Sequence, residues 1–231
     1  ASGFDPSLFH DDDGRSWLVN MLFDWRESGK ARFVGTVIQE LDLDTLTLRG
    51  ERMHMFRGTS LGTCEGPQIL KRGGWYYLIC AAGGTEYGHA ATVARSRSLS
   101  GPWIESPHSP MLTTRDDPDH PLQKAGHCSF LQYGDDWYIT FLVGRPLTRR
   151  GNCTLGRETA LARIVWDDDG WPMLANGTCH PDLDVEIRGT QSTVDDVIDH
   201  SETVSFHPGG VIPHPFKSLR APLRQGVDYS L

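Results

Sequence analysis

The stretch Glu65–Cys80, "EGPQILKRGGWYYLIC", decides the fold. It reads as an apolar strand, a tight turn at Gly73-Gly74 and an aromatic strand, the pattern of a β-hairpin. Two other stretches share the design: "DPSLFHDDDGRSWLVN" from Asp5 and "HCSFLQYGDDWYITFL" from His127, with Asp13-Gly14 and Gly134-Asp135 in their turns. The heads Asp5, Glu65 and His127 stand 60 and 62 positions apart. A second hairpin follows the first two, in "ARFVGTVIQELDLDTLTLRG" after Trp25 and "HAATVARSRSLSGPWIES" after Gly88, so each unit holds four strands. A four-stranded unit repeated along a chain is a propeller blade. A further partial unit, "GRETALARIVWDDDGWPML" from Gly156, has Arg157 at its head and Asp169-Gly170 in its turn. No stretch carries helical periodicity, so the expected class is all-β.

The bulk numbers agree with a packed globular chain. With 231 residues, 38% of them apolar, the chain can bury a substantial core. A net charge of −8, from 30 acidic and 22 basic residues without a basic run, argues against nucleic acid as the partner. No apolar run approaches the roughly 20 residues of a membrane span. Five cysteines without CxxC spacing, Cys64, Cys80, Cys128, Cys153 and Cys179, read as buried thiols of a reducing compartment. The expected location is therefore cytoplasmic, with secretion as the alternative.

In a propeller the first strand of each blade lines a central channel. Asp5, Glu65, His127 and Arg157 all head such strand candidates, which predicts that four ionisable side chains meet in one pocket. Any one of them alone reads as a polar residue capping a strand start. Two facing carboxyl groups can hydrolyse a glycosidic bond: an acid of raised pKa protonates the leaving oxygen while a second carboxylate activates water or attacks the sugar. Glu65 suits the acid, because its apolar surroundings desolvate it and a nearby Asp5 repels its charge. Pro6 predicts an extended, fixed backbone at Asp5. His127 could hold a carboxylate or a metal-bound water, and the Arg157 guanidinium could grip hydroxyls. Phe23, and less so Trp25 and Tyr87, could stack on a sugar ring.

Beyond these single residues, the stretches "FDPSLFHDDDGRSWLVNM", "EGPQILKRGGWYYLICAAGGTEYGHAATVARSRSLSGPW", "HPLQKAGHCSFLQYGDDWYITFLVGRPL" and "CTLGRETALARIVWDDDGWP" occur in this order. Together they resemble glycoside hydrolase family 43, in particular its β-xylosidase and α-L-arabinofuranosidase branch. The resemblance implies a five-bladed β-propeller that hydrolyses β-1,4-xylosides and α-L-arabinofuranosides with inversion, by direct attack of water. It makes Glu65 in "EGPQ" the general acid and Asp5 in "FDPS" the residue that orients it and raises its pKa. His127 in "AGH", Arg157 in "GRETA", Phe23 in "NMLF" and Thr85 in "GGTEYGH" become substrate-binding residues. No cofactor is required, although a structural Ca²⁺ in the channel, held near His127 through water, is compatible with the family.

The family's general base lies in an upstream "DPS"-type motif that this chain does not show. The expectation is thus a chain that supplies roughly blades 2 to 5 over residues 1–188. Residues 189–231 are then a linker and the beginning of an appended β-sandwich. Such a piece alone is expected to be inactive, and its open apolar edges predict self-association. The competing readings are a retaining, fructosidase-like hydrolase, which carries "RDP" where this chain has "FDP", and a carbohydrate-binding propeller without catalysis. A propeller devoted only to protein contacts gives no reason for the four charged heads.

Overall fold

The computed structural model describes residues 3–187. The expected linker and sandwich start at 189–231 lie outside the described residues. Within them the chain forms three antiparallel sheets in sequence order. The first holds β1 (Phe4–His10), β2 (Ser16–Phe23), β3 (Phe33–Asp42) and β4 (Thr47–Phe56). The second holds β5 (Glu65–Arg72), β6 (Trp75–Ala82), β7 (Ala90–Ser96) and β8 (Ile104–Glu105), with the short β9 (Leu112–Thr113) also pairing β7. The third holds β10 (Gln123–Tyr133), β11 (Asp136–Gly144), β12 (Glu158–Trp166) and β13 (Pro172–Leu174). The helical segment among the described residues is one 3-10 turn, Gly29–Arg32, and no helix there is long and apolar enough to cross a membrane.

The fourth unit expected from Gly156 is corrected by this topology. Its two strands are β12 and β13, the outer half of the third sheet: Val143 pairs with Glu158, and Ile164 with Leu174. The hairpin itself is real, because the Asp167 carboxylate accepts the Trp171 N–H at 2.7 Å and closes the turn. What it lacks is a first strand of its own, since β11 already occupies the other side of β12. Three units, where four were expected, therefore fill the described residues.

The sheets pack in series. β5 lies against β1 on one side and β10 on the other. The alternation of β6 feeds both interfaces, as a strand covered on two faces requires. Tyr77 and Ile79 point into the core shared with Ile139, Phe141 and Ile164 of the third sheet. Leu78 and Cys80 point the other way, toward Cys64 and Phe56. The remaining first interface is filled by Phe9, Trp17, Val19 and Ile38 against Ile69 and Tyr76. Each such side chain contributes about 1.5–3 kcal/mol by leaving water. Polar ties repeat across the interfaces at a one-unit offset: Ser7 Oγ donates to Pro67 O at 2.6 Å, and Gln68 Nε2 to Ser129 Oγ at 2.6 Å. Lys71 Nζ and the Tyr76 hydroxyl both bind the Asp11 carboxylate, the latter at 2.8 Å.

At the head of each first strand the pairing register slips, between Phe4 and Ser7, between Glu65 and Gln68, and between Gly126 and Ser129. Each slip contains one residue in the left-handed region: Asp5 (φ 51°), Gly66 (φ 55°) and His127 (φ 54°). These β-bulges bend the strand and re-aim its side chains. They also correct two expectations. The backbone of Asp5 is left-handed rather than extended, because the bulge outweighs the local preference imposed by Pro6. And the repeat runs Asp5, Gly66, His127, so Glu65 stands one place earlier, on the position of Phe4 and Gly126.

Candidate active site

The bulges build the site. Gly66 turns its N–H toward the neighbouring sheet, where it donates to Asp5 Oδ2 at 3.0 Å. The Asp5 carboxylate is thereby fixed beside Glu65, the residue just before that amide. A side chain at Gly66 is excluded: a Cβ there would lie 2.6 Å from His127 Nε2. The His127 ring thus packs flat on the backbone next to Glu65. Positions that the sequence placed one unit apart thus meet at Gly66, whose amide holds Asp5 and whose missing side chain admits the His127 ring.

Arg157 arrives by a different route from the one expected. It immediately precedes β12, a third strand rather than a first strand. Because β12 runs antiparallel to β11, and β11 to β10, its start lies at the same end of the sheet as the head of β10. Arg157 and His127 consequently line one cleft together with Thr140 and Glu158. An adjoining cleft is lined by Arg157, Thr85, Lys124 and Asn152. Thr85 and Arg157, both expected to bind substrate, thus share one cleft.

The electrostatics follow from these placements. Burial pushes the half-buried Glu65 carboxyl above its ordinary pKa, the Asp5 charge pushes it further, and Arg157 partly opposes both. Asp5 and Arg157 are the charged residues that act on Glu65. Burial and the Asp5 charge both favour the proton-bearing form of Glu65 over its carboxylate.

Phe23 closes the end of β2 and is buried at the centre of an aromatic group, with ring centroids 5.6 Å from Phe4, 5.3 Å from Phe33 and 4.4 Å from Trp25. It lines a cleft with Trp25, Arg26 and Arg52. Trp25 is 70% exposed, so the ring presented to solvent there is that of Trp25, with Phe23 beneath it. Tyr87 is already engaged: its hydroxyl donates to Gly151 O at 2.6 Å, and Lys124 Nζ lies 4.9 Å from its ring centre.

Sequence reasoning missed His89. It is fully buried, and its ring fills the space where Gly126 has no side chain, a Cβ there falling 2.7 Å from the imidazole. Its Nδ1 donates to Lys124 O at 2.7 Å, which leaves Nε2 as a bare acceptor without a partner in the described residues. Burial lowers its pKa, the Lys124 carbonyl partly opposes this, and His127 and Arg157 lower it further. The signal was present in "GHAATV", a histidine between a glycine and an apolar strand.

Sheets joined in series through their first strands, with the polar site at one end of those strands, define a propeller-type protein. The model of the glycosyl hydrolases family 43 matches residues 1–172, and the chain belongs to that family. It is 49% identical over 178 residues to "Xylosidase/arabinosidase 43B" of Humicola insolens, covering 77% of this chain and 33% of that protein. It is 45% identical over 186 residues to "Beta-xylosidase" of Bacillus subtilis (strain 168), covering 77% and 34%. Among solved structures, xylan beta-1,4-xylosidase from Bacillus halodurans C-125 superposes with a TM-score of 0.80 at 40% identity, over 93% of this chain and 40% of that one. The chain spans about a third of the length of the curated relatives it matches.

Proposed function

We propose that this chain carries the acid side of a glycosidase site that cleaves β-1,4-xylo-oligosaccharides or α-L-arabinofuranosides with inversion, within a five-bladed propeller. The observation that carries the reading is the half-buried Glu65 beside an Asp5 carboxylate held on the Gly66 N–H, a placement that raises the Glu65 pKa. Glu65 donates its proton to the leaving oxygen as the glycosidic bond breaks. Asp5 keeps that proton in place until the substrate arrives and restrains the carboxyl group's orientation. Arg157 and Thr85 grip sugar hydroxyls, and His127 steadies the floor beneath the acid. Trp25 and Phe23 offer the apolar face on which a ring stacks. The relatives' names, xylosidase and arabinosidase, support this substrate class.

Inversion needs a second carboxylate across the sugar to activate water, with room for that water between the two. Asp5 is assigned to the acid's side instead, because its Oδ2 is held on the Gly66 N–H directly beside Glu65. The chain alone is therefore expected to bind xylobiose, measured by calorimetry, and to release no xylose from an aryl xyloside. Robust release by this chain would overturn the assignment of Asp5 as modulator rather than base. The acid role is tested separately by carbon NMR titration of Glu65. Its pKa should lie above that of an ordinary glutamate and fall in Asp5→Asn, and an ordinary, Asp5-independent value would remove the acid.

A further inference from the structure

We propose that Asp116, Cys179 and His180 form a binding site for a zinc-class divalent cation, separate from the site built on Glu65. The donor atoms of these three side chains all lie within 4.8 Å of one another. His180 Nε2 and Asp116 Oδ1 are already 3.0 Å apart. Tetrahedral zinc holds sulfur at about 2.3 Å and nitrogen or oxygen at about 2.0 Å, which spaces neighbouring donors by roughly 3.3–3.5 Å. Small rotations of the side chains suffice to close the triangle on an ion.

Two distant segments supply the ligands, and both are held by the backbone. Asp116 stands in the turn after β9, and Cys179 and His180 in the loop after β13. The Thr113 N–H donates to Cys179 O at 2.8 Å and ties one segment to the other. The Asn176 side chain and the Thr178 hydroxyl both donate to His180 O, at 2.9 and 3.1 Å. His120 adds an outer support: its Nδ1 accepts the Leu122 N–H at 3.1 Å, so its Nε2 donates to Pro181 O at 3.0 Å. Both nitrogens of His120 are thus used, and the fourth position falls to water.

The donor set selects the cation. One thiolate, one carboxylate and one neutral imidazole balance a dication, and the sulfur favours Zn²⁺, Co²⁺ or Cd²⁺ over the oxygen-seeking Ca²⁺ and Mg²⁺. Three protein ligands with one open position make the site a surface clamp that joins the β9–β10 connection to the end of the third sheet. The competing account is an ordinary His180–Asp116 ion pair with a bystander thiol.

Titration of the full chain with Co²⁺, followed by absorption spectroscopy, separates the two. The expected result is one equivalent bound, with tetrahedral ligand-field bands and a thiolate-to-cobalt charge-transfer band, displaced by Zn²⁺ and indifferent to Ca²⁺. Cys179→Ser should abolish the charge-transfer band, and Asp116→Asn, an exposed position whose change leaves the fold intact, should weaken binding at least about tenfold. Absence of saturable binding would overturn the proposal. So would a charge-transfer band that survives Cys179→Ser, which assigns the cobalt to another thiol, or an affinity unchanged in Asp116→Asn.

Discussion

Alanine substitution at three glycines separates backbone strain from steric conflict at the site. Gly73 has φ 57° and open space around the missing side chain, so Gly73→Ala meets only the left-handed backbone cost, about 1–2 kcal/mol. Gly126 is not left-handed, but its added Cβ would lie 2.7 Å from the ring of His89, which is buried and anchored to Lys124 O. Overpacking of this kind costs about 1–3 kcal/mol. Gly66 combines both, with φ 55° and contacts of 2.6, 2.8 and 2.9 Å to the His127 ring. Its alanine variant should therefore lose about 2–5 kcal/mol, close to the sum of the other two. Urea unfolding of the three variants, followed by tryptophan fluorescence, measures the differences. Adding His127→Ala to Gly66→Ala should return the steric part and leave the backbone part. If Gly66→Ala costs no more than Gly73→Ala, or His127→Ala gives no relief, the imidazole does not rest on Gly66 and the construction of the site fails.

Two further outcomes follow from the charges. The raised pKa of Glu65 means that its neutral form is the one the fold favours; its contribution is complete below the ordinary glutamate pKa and is lost as pH rises through the folded value. Glu65→Gln should accordingly be more stable relative to wild type at pH 7 than at pH 4, and urea midpoints at the two pH values check the sign. For Asp11, burial pushes the carboxyl up, but hydrogen bonds from Lys71 and Tyr76 outweigh it and leave the pKa lowered. Its contribution is present above the ordinary aspartate pKa and lost as pH falls through the folded value. Asp11→Asn should cost about 1–3 kcal/mol at pH 7, and the difference should shrink toward pH 3 in the same unfolding assay.

The hairpins were readable because turn chemistry is local. Gly73-Gly74 and Gly134-Asp135 supply the backbone angles that a tight reversal needs, and the strands on either side carry the aromatic and branched residues that fit a pleated sheet. Asp5, Glu65 and His127 stood out for the same reason, as polar residues before apolar runs. What sequence could not disclose is which residue in each bulge takes the left-handed conformation. "FDP", "EGP" and "GHC" look alike, and only the pairing of Ser7, Gln68 and Ser129 shows that Asp5 corresponds to Gly66. Arg157 was read as a first-strand head because β12, followed by its Asp-rich turn, imitates the start of a unit. Strand order is a long-range property that a local pattern does not carry. His89 escaped because its role depends on the emptiness of Gly126, a residue 37 positions away.

The bond from the Gly66 amide to the Asp5 side chain has a temporal consequence. Among the described sheets the second packs against both neighbours, while the first packs chiefly against the second. Opening of the first sheet breaks one interface and carries Asp5 away; opening of the second must break two. The Gly66 hydrogen is therefore a clock inside the site. Its exchange with solvent deuterium records how often Asp5 lets go, while Glu65 stays anchored in the part of the molecule that yields last.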